Sequence, residues 1–292
     1  MSFDIIGAHF FLPLFSVRDP TSWGVRLSFL LPPPRTILGA LAHSIGVISG
    51  VASGEEELRK EAARDILTYA LETYSLATIR PLSPVIKGSN ILRYVPPVEK
   101  GERVRSSEAA HDAFKTDLMI SSEMKAIFFI DTGSVSSFLE KYGLPKLHIG
   151  RICHAVRLID RIGPTEIICY TKNVEILRIE EASPITNTYV PYGWLEGAEG
   201  QYCVSELLPN LRVLETLGQI AQTDIRSIRH KNLRRKKIPY LLPLKLTKRP
   251  KGKEVFEASE VNIKPKTGFA AYSLSDGTKA VLPVQEETRP NE

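Results

Sequence analysis

The chain has 292 residues, 38 Lys and Arg against 33 Asp and Glu, a formal net charge of +5 and 43% apolar residues. That is ample apolar material for one large packed domain or two modest ones. No apolar run approaches the roughly 18 residues that a membrane-spanning helix needs, which excludes that class and predicts no membrane partner.

The opening segment, MSFDIIGAHFFLPLFSV, has an acid near its start and lacks a basic leader or a small-residue cleavage site, so it reads as a buried strand over 4–17. Pro13 marks a bulge or an edge in it. Residues 18–31 read as a loop with a short strand, carrying Arg26. Pro32, Pro33 and Pro34 then lack the amide donors a strand ladder requires, and the last is suited to open a helix.

That helix is expected over about 34–49. At 100° per residue Ile37, Leu38, Leu41, Ile45 and Ile48 share an apolar face, while Arg35, Gly39, His43, Gly46 and Gly50 share the opposite one. Glycine costs about 1 kcal/mol against alanine inside a helix. A stripe of it admits a close backbone, either a phosphate chain beside Arg35 and His43 or a neighbouring protein segment.

A second helix is expected from about Glu55, after a Ser53 cap, to about Tyr74, with acids in its first turn, followed by a strand at 76–86 interrupted by Pro81 and Pro84. Residues 87–118 break the pattern. They hold Lys87, Arg93, Lys100, Arg103, Arg105 and Lys115, interleaved with Tyr94 and Phe114, and read as an excursion from the domain. MKAIFFID (124–131) is a buried strand, and a short helix follows from Ser134 to about Tyr142.

Residues 148–162 read as an amphipathic helix. Ile152, Ala155, Val156, Ile159 and Ile162 face inward, and His154, Arg157 and Arg161 lie together on the other side. Gly163 and Pro164 stop it, and 165–179 is a strand or hairpin. Residues 1–180 thus give β-α-β-β-α-β, the ferredoxin-like split order, with a basic insertion at 87–118. No aromatic motif of the common RNA-recognition type is present.

From 181 to 292 a β-rich basic region follows, with a weak helix near 208–222, a β-hairpin near 254–284 and a disordered acidic tail. Between Arg226 and Lys253 stand twelve Lys and Arg and no acid, among them Arg234, Arg235, Lys236 and Lys237. Such a run is the electrostatic footprint of a polyanion site, or else a solvated face. Trp23 and Trp194 lie beside glycines in loops, where anchoring by burial is favoured over base stacking.

Three elements in order, FFLPLFSV, FLLPPPRTILGALAHSIG and RLIDRIGPTE, resemble the CRISPR-associated protein 5 family, in particular its archaeal type I-A form. The resemblance covers residues 1–175. In the last element the turn reads Ile162-Gly163-Pro164-Thr165-Glu166, with proline where the family more often has an acid. The resemblance implies a RAMP-superfamily, ferredoxin-like protein with a thumb-like insertion at 87–118. It implies a subunit that caps the 5′ handle of the crRNA in a Cascade-type antiviral defense ribonucleoprotein and touches the large subunit and the first backbone subunit. The residues themselves support this independently, and the candidate RNA-binding set is Arg26, Arg35, Gly39, His43, Gly46, Lys87, Arg93, Tyr94, Arg103, Arg105, His154, Arg157, Arg161 and Arg234 through Lys237. For 226–253, RNA, the large subunit and target DNA remain alternative partners.

Two other classes compete. A metal-independent endoribonuclease would need a base and a cation, and the chain offers His43, Tyr94, His111, His148, His154 and many lysines, none in a short-range constellation. A protein-only scaffold would use the basic run against an acidic partner. There is no P-loop, GxSxG or HExxH motif. Cys153, Cys169 and Cys203 match neither a disulfide framework nor a zinc motif, so the expectation is a cytoplasmic, non-enzymatic binder with no cofactor and no metal.

Overall fold

A computed structural model describes residues 3–17, 19–20, 25–50, 57–94, 112–163, 168–220, 233, 235–248 and 253–284, with backbone alone for 25–26, 57–62, 89–94, 112–116 and 248. It is a mixed α/β protein of several antiparallel sheets and few helices.

The first part of the chain supplies β1 (Asp4–Phe11), β2 (Leu14–Phe15), β3 (Val25–Arg26), α1 (Pro34–Ile48) and α2 (Glu57–Tyr74). After them come β4 (Ser75–Pro81), β5 (Val85–Tyr94), β6 (Asp112–Ile120), β7 (Glu123–Ile130), α3 (Thr132–Glu140), α4 (Ile149–Arg157) and β8 (Tyr170–Leu177). Pro34 stands in the first turn of α1, where its missing amide costs no bond. Asp131 ends β7 and caps α3, accepting from the amide of Ser134 at 3.0 Å and from its hydroxyl at 2.7 Å.

The central sheet has the order β4-β7-β1-β8, every neighbouring pair antiparallel. One face carries Ile6, Ala8 and Phe10 and is covered by the helices; there Thr171 of β8 donates to the Val156 carbonyl of α4 at 3.2 Å. The other face is covered by the C-terminal part, where Thr78 donates to the Tyr189 carbonyl at 2.9 Å. Covering on both sides explains why AIFFI in β7 is a continuous apolar run without alternation. Edge strand β8 pairs only with β1 among the described residues, and Tyr170 and Ile176 stay exposed.

The interruption at Pro81 and Pro84 separates strands of two sheets. β5 leaves the central sheet and pairs with β6 from Ile86↔Ile120 to Tyr94↔Asp112. The excursion expected at 87–118 therefore begins and ends in paired strands, and residues 95–111 between them lie outside the described residues. Its base belongs to a second sheet together with β2 and β3.

The rest comprises β9 (Ile179–Ala182), β10 (Ile185–Thr186), β11 (Val190–Pro191), a 3-10 turn (Tyr192–Trp194), β12 (Leu195–Gly200), β13 (Cys203–Leu207) and α5 (Leu211–Thr216). Then come β14 (Ile238–Leu242), β15 (Leu244–Lys248), β16 (Glu254–Ala258), β17 (Val261–Pro265), β18 (Phe269–Leu274) and β19 (Lys279–Pro283). The single hairpin expected at 254–284 is corrected to four strands with different partners. β16 lies between β15 and β5, β17 between β10 and β12, and β18 between β19 and β9. One hydrophobic cluster runs from Ile6, Phe128 and Ile152 to Tyr240, Leu241 and Leu282, joining the parts before and after residue 180.

Lys125 of β7 ties these layers. It is only 9% exposed, and its ammonium pairs with Glu175 of β8 and with Asp276 in the turn between β18 and β19. Gly7 of β1 makes the crossing possible, because a Cβ there would stand 2.9 Å from Leu177 and 3.3 Å from the Lys125 stem. Burial alone would raise the Asp276 carboxyl, but the bonds from Lys125 and Thr278 outweigh it and hold it below the usual carboxylate range. Lys125→Ala is expected to cost about 3 kcal/mol in urea denaturation at pH 7, since it leaves a buried carboxylate without its cation. The contribution of this pair is fully present above the unfolded carboxyl value of about 3.9 and is lost as the pH falls through the lower folded value. The gap between variant and wild type should therefore close in acid.

Candidate nucleic-acid interface

The residues of the α1 polar face separate once their neighbours are seen. Arg35 turns inward: its Nε donates to Glu72 at 3.0 Å and an Nη1 donates to the Leu233 carbonyl at 2.7 Å. The Glu72 side chain is only 4% exposed, so this guanidinium is held inside the protein and stands as a tie between α1, α2 and the segment before β14. Gly46 is buried against α2, where a Cβ would sit 3.8 Å from Leu67. A Cβ at Gly39 would meet nothing within 4 Å. His43 is half-buried.

Helix α4 presents His154 and Arg157 to solvent in its last turn, at the end where cations suit the helix dipole. The helix expected to reach residue 162 ends at Arg157. Beyond it the Asp160 carbonyl accepts from the Cys169 amide at 2.8 Å and Arg161 forms a bridge with Ile168, so 158–162 is drawn into strand-like contact. Arg161 is bonded to Asp160 through two nitrogens, at 3.0 and 3.2 Å. Those bonds keep the Asp160 carboxyl below its ordinary value. Arg157 carries no such carboxylate among the described residues. His148 is the N-cap of α4, its Nδ1 accepting from the Arg151 amide at 3.2 Å, which accounts for it without chemistry.

In the basic C-terminal run, cations and buried strand alternate. Ile238, Tyr240, Leu241 and Leu242 of β14 are buried, so 226–253 does not form one continuous solvated surface. Lys237 donates to Asp19 at 2.9 Å and lies 3.4 Å from Glu206; these bonds overcome burial and push its ammonium up. Lys236 donates to the Gln219 carbonyl at 3.2 Å. Arg235 is exposed. In the hairpin, Lys87 lies 3.5 Å from Asp117. Arg93 and Tyr94 stand opposite Ala113 and Asp112, and Arg26 opposite Thr116. The side chains of Arg26, Arg93 and Tyr94 lie outside the described residues, as do Trp23, Arg103, Arg105, His111 and Arg234. Trp194 is 2% exposed and serves as an anchor, its Nε1 donating to Thr216 at 3.1 Å.

Sequence reasoning missed a polar row across the central sheet, in which Arg80, Lys125, His9 and Asn173 are direct neighbours on β4, β7, β1 and β8. Beside it His9 lies 3.1 Å from Glu123, which also pairs with Lys172. The bond from Lys172 holds the Glu123 carboxyl low. The Arg80 Nε is buried without a hydrogen-bond partner, and burial pulls that guanidinium down against the pull of Asp276 and Glu260. The signal was a single polar residue inside each of two apolar stretches, GAHFF and MKAIFF. Among the described residues no group of three or more His, Cys, Asp and Glu is placed to hold a metal ion, and no helix is long and apolar enough to cross a membrane. Burial pushes the Cys169 thiol up to about 12, which makes it inert as a nucleophile.

No protein-family model matches the chain, and no curated protein matches it. Among solved structures it is similar to a CRISPR protein from Archaeoglobus fulgidus, 16% identical, with a TM-score of 0.51 over 96% of this chain and 99% of that one. That likeness is one of fold. A chain of a CRISPR RNA-guided surveillance complex is 8% identical over 61% of this chain and 71% of its own, at a TM-score of 0.30 too low to carry an argument.

Neither Gly39 nor Gly46 is demanded by a close neighbour among the described residues. Gly39→Ala is therefore expected to stabilise the protein by about 1 kcal/mol in thermal or urea unfolding. A loss of stability instead would mean that the backbone at 39 needs glycine for the fold itself.

Proposed function

We propose that this chain is a non-catalytic, crRNA-binding subunit of a CRISPR interference complex, of the CRISPR-associated protein 5 kind and type I-A-like. The observation that carries the reading is the likeness in fold to the Archaeoglobus fulgidus CRISPR protein, which extends over nearly the whole of both chains. The sheet order β4-β7-β1-β8, with helices in both crossovers, is the order a ferredoxin-like β-α-β-β-α-β unit requires, and it supports a RAMP-type domain. The β5–β6 hairpin stands where the resemblance puts the thumb.

The ligand in this reading is the 5′ handle of the crRNA, gripped through its ribose-phosphate chain. Of the candidate cations, Arg157 and Arg235 have no internal hydrogen bond or ion pair among the described residues, and His154 and His43 stand beside α4 with Gly39 offering close approach. Arg35, Lys237 and Arg161 act one step back, by fixing the elements that present those groups. The partners are the large subunit and the first backbone subunit in the cytoplasm, with target DNA near the basic C-terminal stretch.

Purification with and without RNase tests the reading. The expected outcome is a high 260/280 ratio that RNase lowers and bound RNA whose sequences share one 5′ end; a nuclease-insensitive preparation would favour a protein-only scaffold. Arg157→Glu should weaken binding and reduce the slope of log affinity against log salt by about 0.7, one single-strand phosphate contact. His43→Ala should leave RNA bound and uncut; loss of a cleavage present in the wild type would make the protein a nuclease.

A further inference from the structure

A cleft of about 380 Å³ opens between the 3-10 turn, the end of α5, the start of β14 and the turn before β18. Leu217, Ile238 and Phe269 form its apolar wall, and Gln219, Lys266 and Thr267 its polar rim. The wall is fixed: the Phe269 ring stacks on Trp194 at 4.8 Å with an interplanar angle of 20°. The Lys266 amide donates to the Trp194 carbonyl at 2.9 Å, and the Phe269 amide donates to the Lys266 carbonyl at 3.0 Å. Gly268, at φ +90, closes the turn between them.

Among the described residues Lys266 is the one charged residue of the lining. Lys266 is exposed, and its ammonium has no partner among the described residues. Lys236 bonds the carbonyl of Gln219 on the rim at 3.2 Å, and the exposed Arg235 precedes it in the chain. Ile238 and Pro239, which follow the same cationic residues, are themselves part of the lining. A rigid apolar and aromatic wall with cations at its mouth is what an unstacked nucleotide needs: the base takes the wall and the phosphate takes the ammonium. The volume lies at the lower end of the roughly 300–1,000 Å³ of small-molecule clefts, which suits one nucleotide and not a helix.

The geometry points to this cleft as a binding site for a single splayed-out nucleotide of single-stranded RNA, with its base against Phe269, Leu217 and Ile238 and its phosphate at Lys266. This rests on the RNA-binding reading above and adds to it a second place, on the C-terminal part, where the strand is held.

The test is near-ultraviolet crosslinking of the full chain to short randomised-sequence RNA carrying thiouridine, with the attached peptides mapped by mass spectrometry. The expected result is a crosslink in the peptide holding Lys266 to Phe269, abolished by Thr267→Trp, which places an indole at the cleft mouth. Thr267→Trp and Lys266→Glu should each lower RNA affinity about tenfold, the scale of one base–aromatic stack, with the unfolding temperature unchanged. Crosslinks that avoid residues 217–219 and 266–269, or wild-type affinity in both variants while Arg157→Glu still weakens binding, would overturn the cleft and leave the RNA reading standing. A wild-type chain that binds no RNA at all would remove both.

Discussion

Three cations drawn into the interior are each paired there, and that pairing arranges much of the rest of this structure. Lys125 sits between Glu175 and Asp276, Arg35 between Glu72 and the Leu233 carbonyl, and Lys237 between Asp19 and Glu206. Each joins segments that are distant along the chain. Together they bind the central sheet to the C-terminal part and the proline-led helix to the basic segment. Pairing of this kind adds little net stability over apolar packing, yet it defines one arrangement, because any other leaves a buried charge alone.

The same pairing sorts the positive charge of the protein into two populations. One is spent inside the fold, and reading the chain as a string of cations overstates what is offered to a polyanion. Among the described residues the other includes Arg157 and His154 at the end of α4, the exposed Arg235, and Lys266 on the rim of the cleft beside β14. In the RNA-binding reading, the flank of α1 at Gly39 and the Phe269 wall stacked on Trp194 would add shape to that charge.

Much of the first part of the fold was legible because local chemistry decides it. Proline fixes where α1 begins, two-sided burial writes β7 as an unbroken apolar run, and Asp131 and Ser134 spell the start of α3. The misreadings came where distant pairing overrode local pattern. Residues 158–162 keep helical spacing but are drawn to 168–169, and 254–284 looks like one hairpin although its strands serve different sheets. Of the candidate interface, residue types were legible and availability was not. The carboxylate that engages Arg35 is 37 residues away and the carbonyl 198 away, separations at which sequence carries no trace of contact. The polar row of Arg80, Lys125 and His9 was hidden for the same reason.

The uncovered border of the central sheet has a practical bearing. β8 leaves its outward amides and carbonyls without a strand among the described residues, and it shows Tyr170 and Ile176 alongside them. A ladder left open in this way templates another extended chain, and Lys172, which would guard it, is engaged by Glu123. An edge of this kind favours pairing between copies of the same chain, and a charge placed on β8 at Ile176 would blunt it.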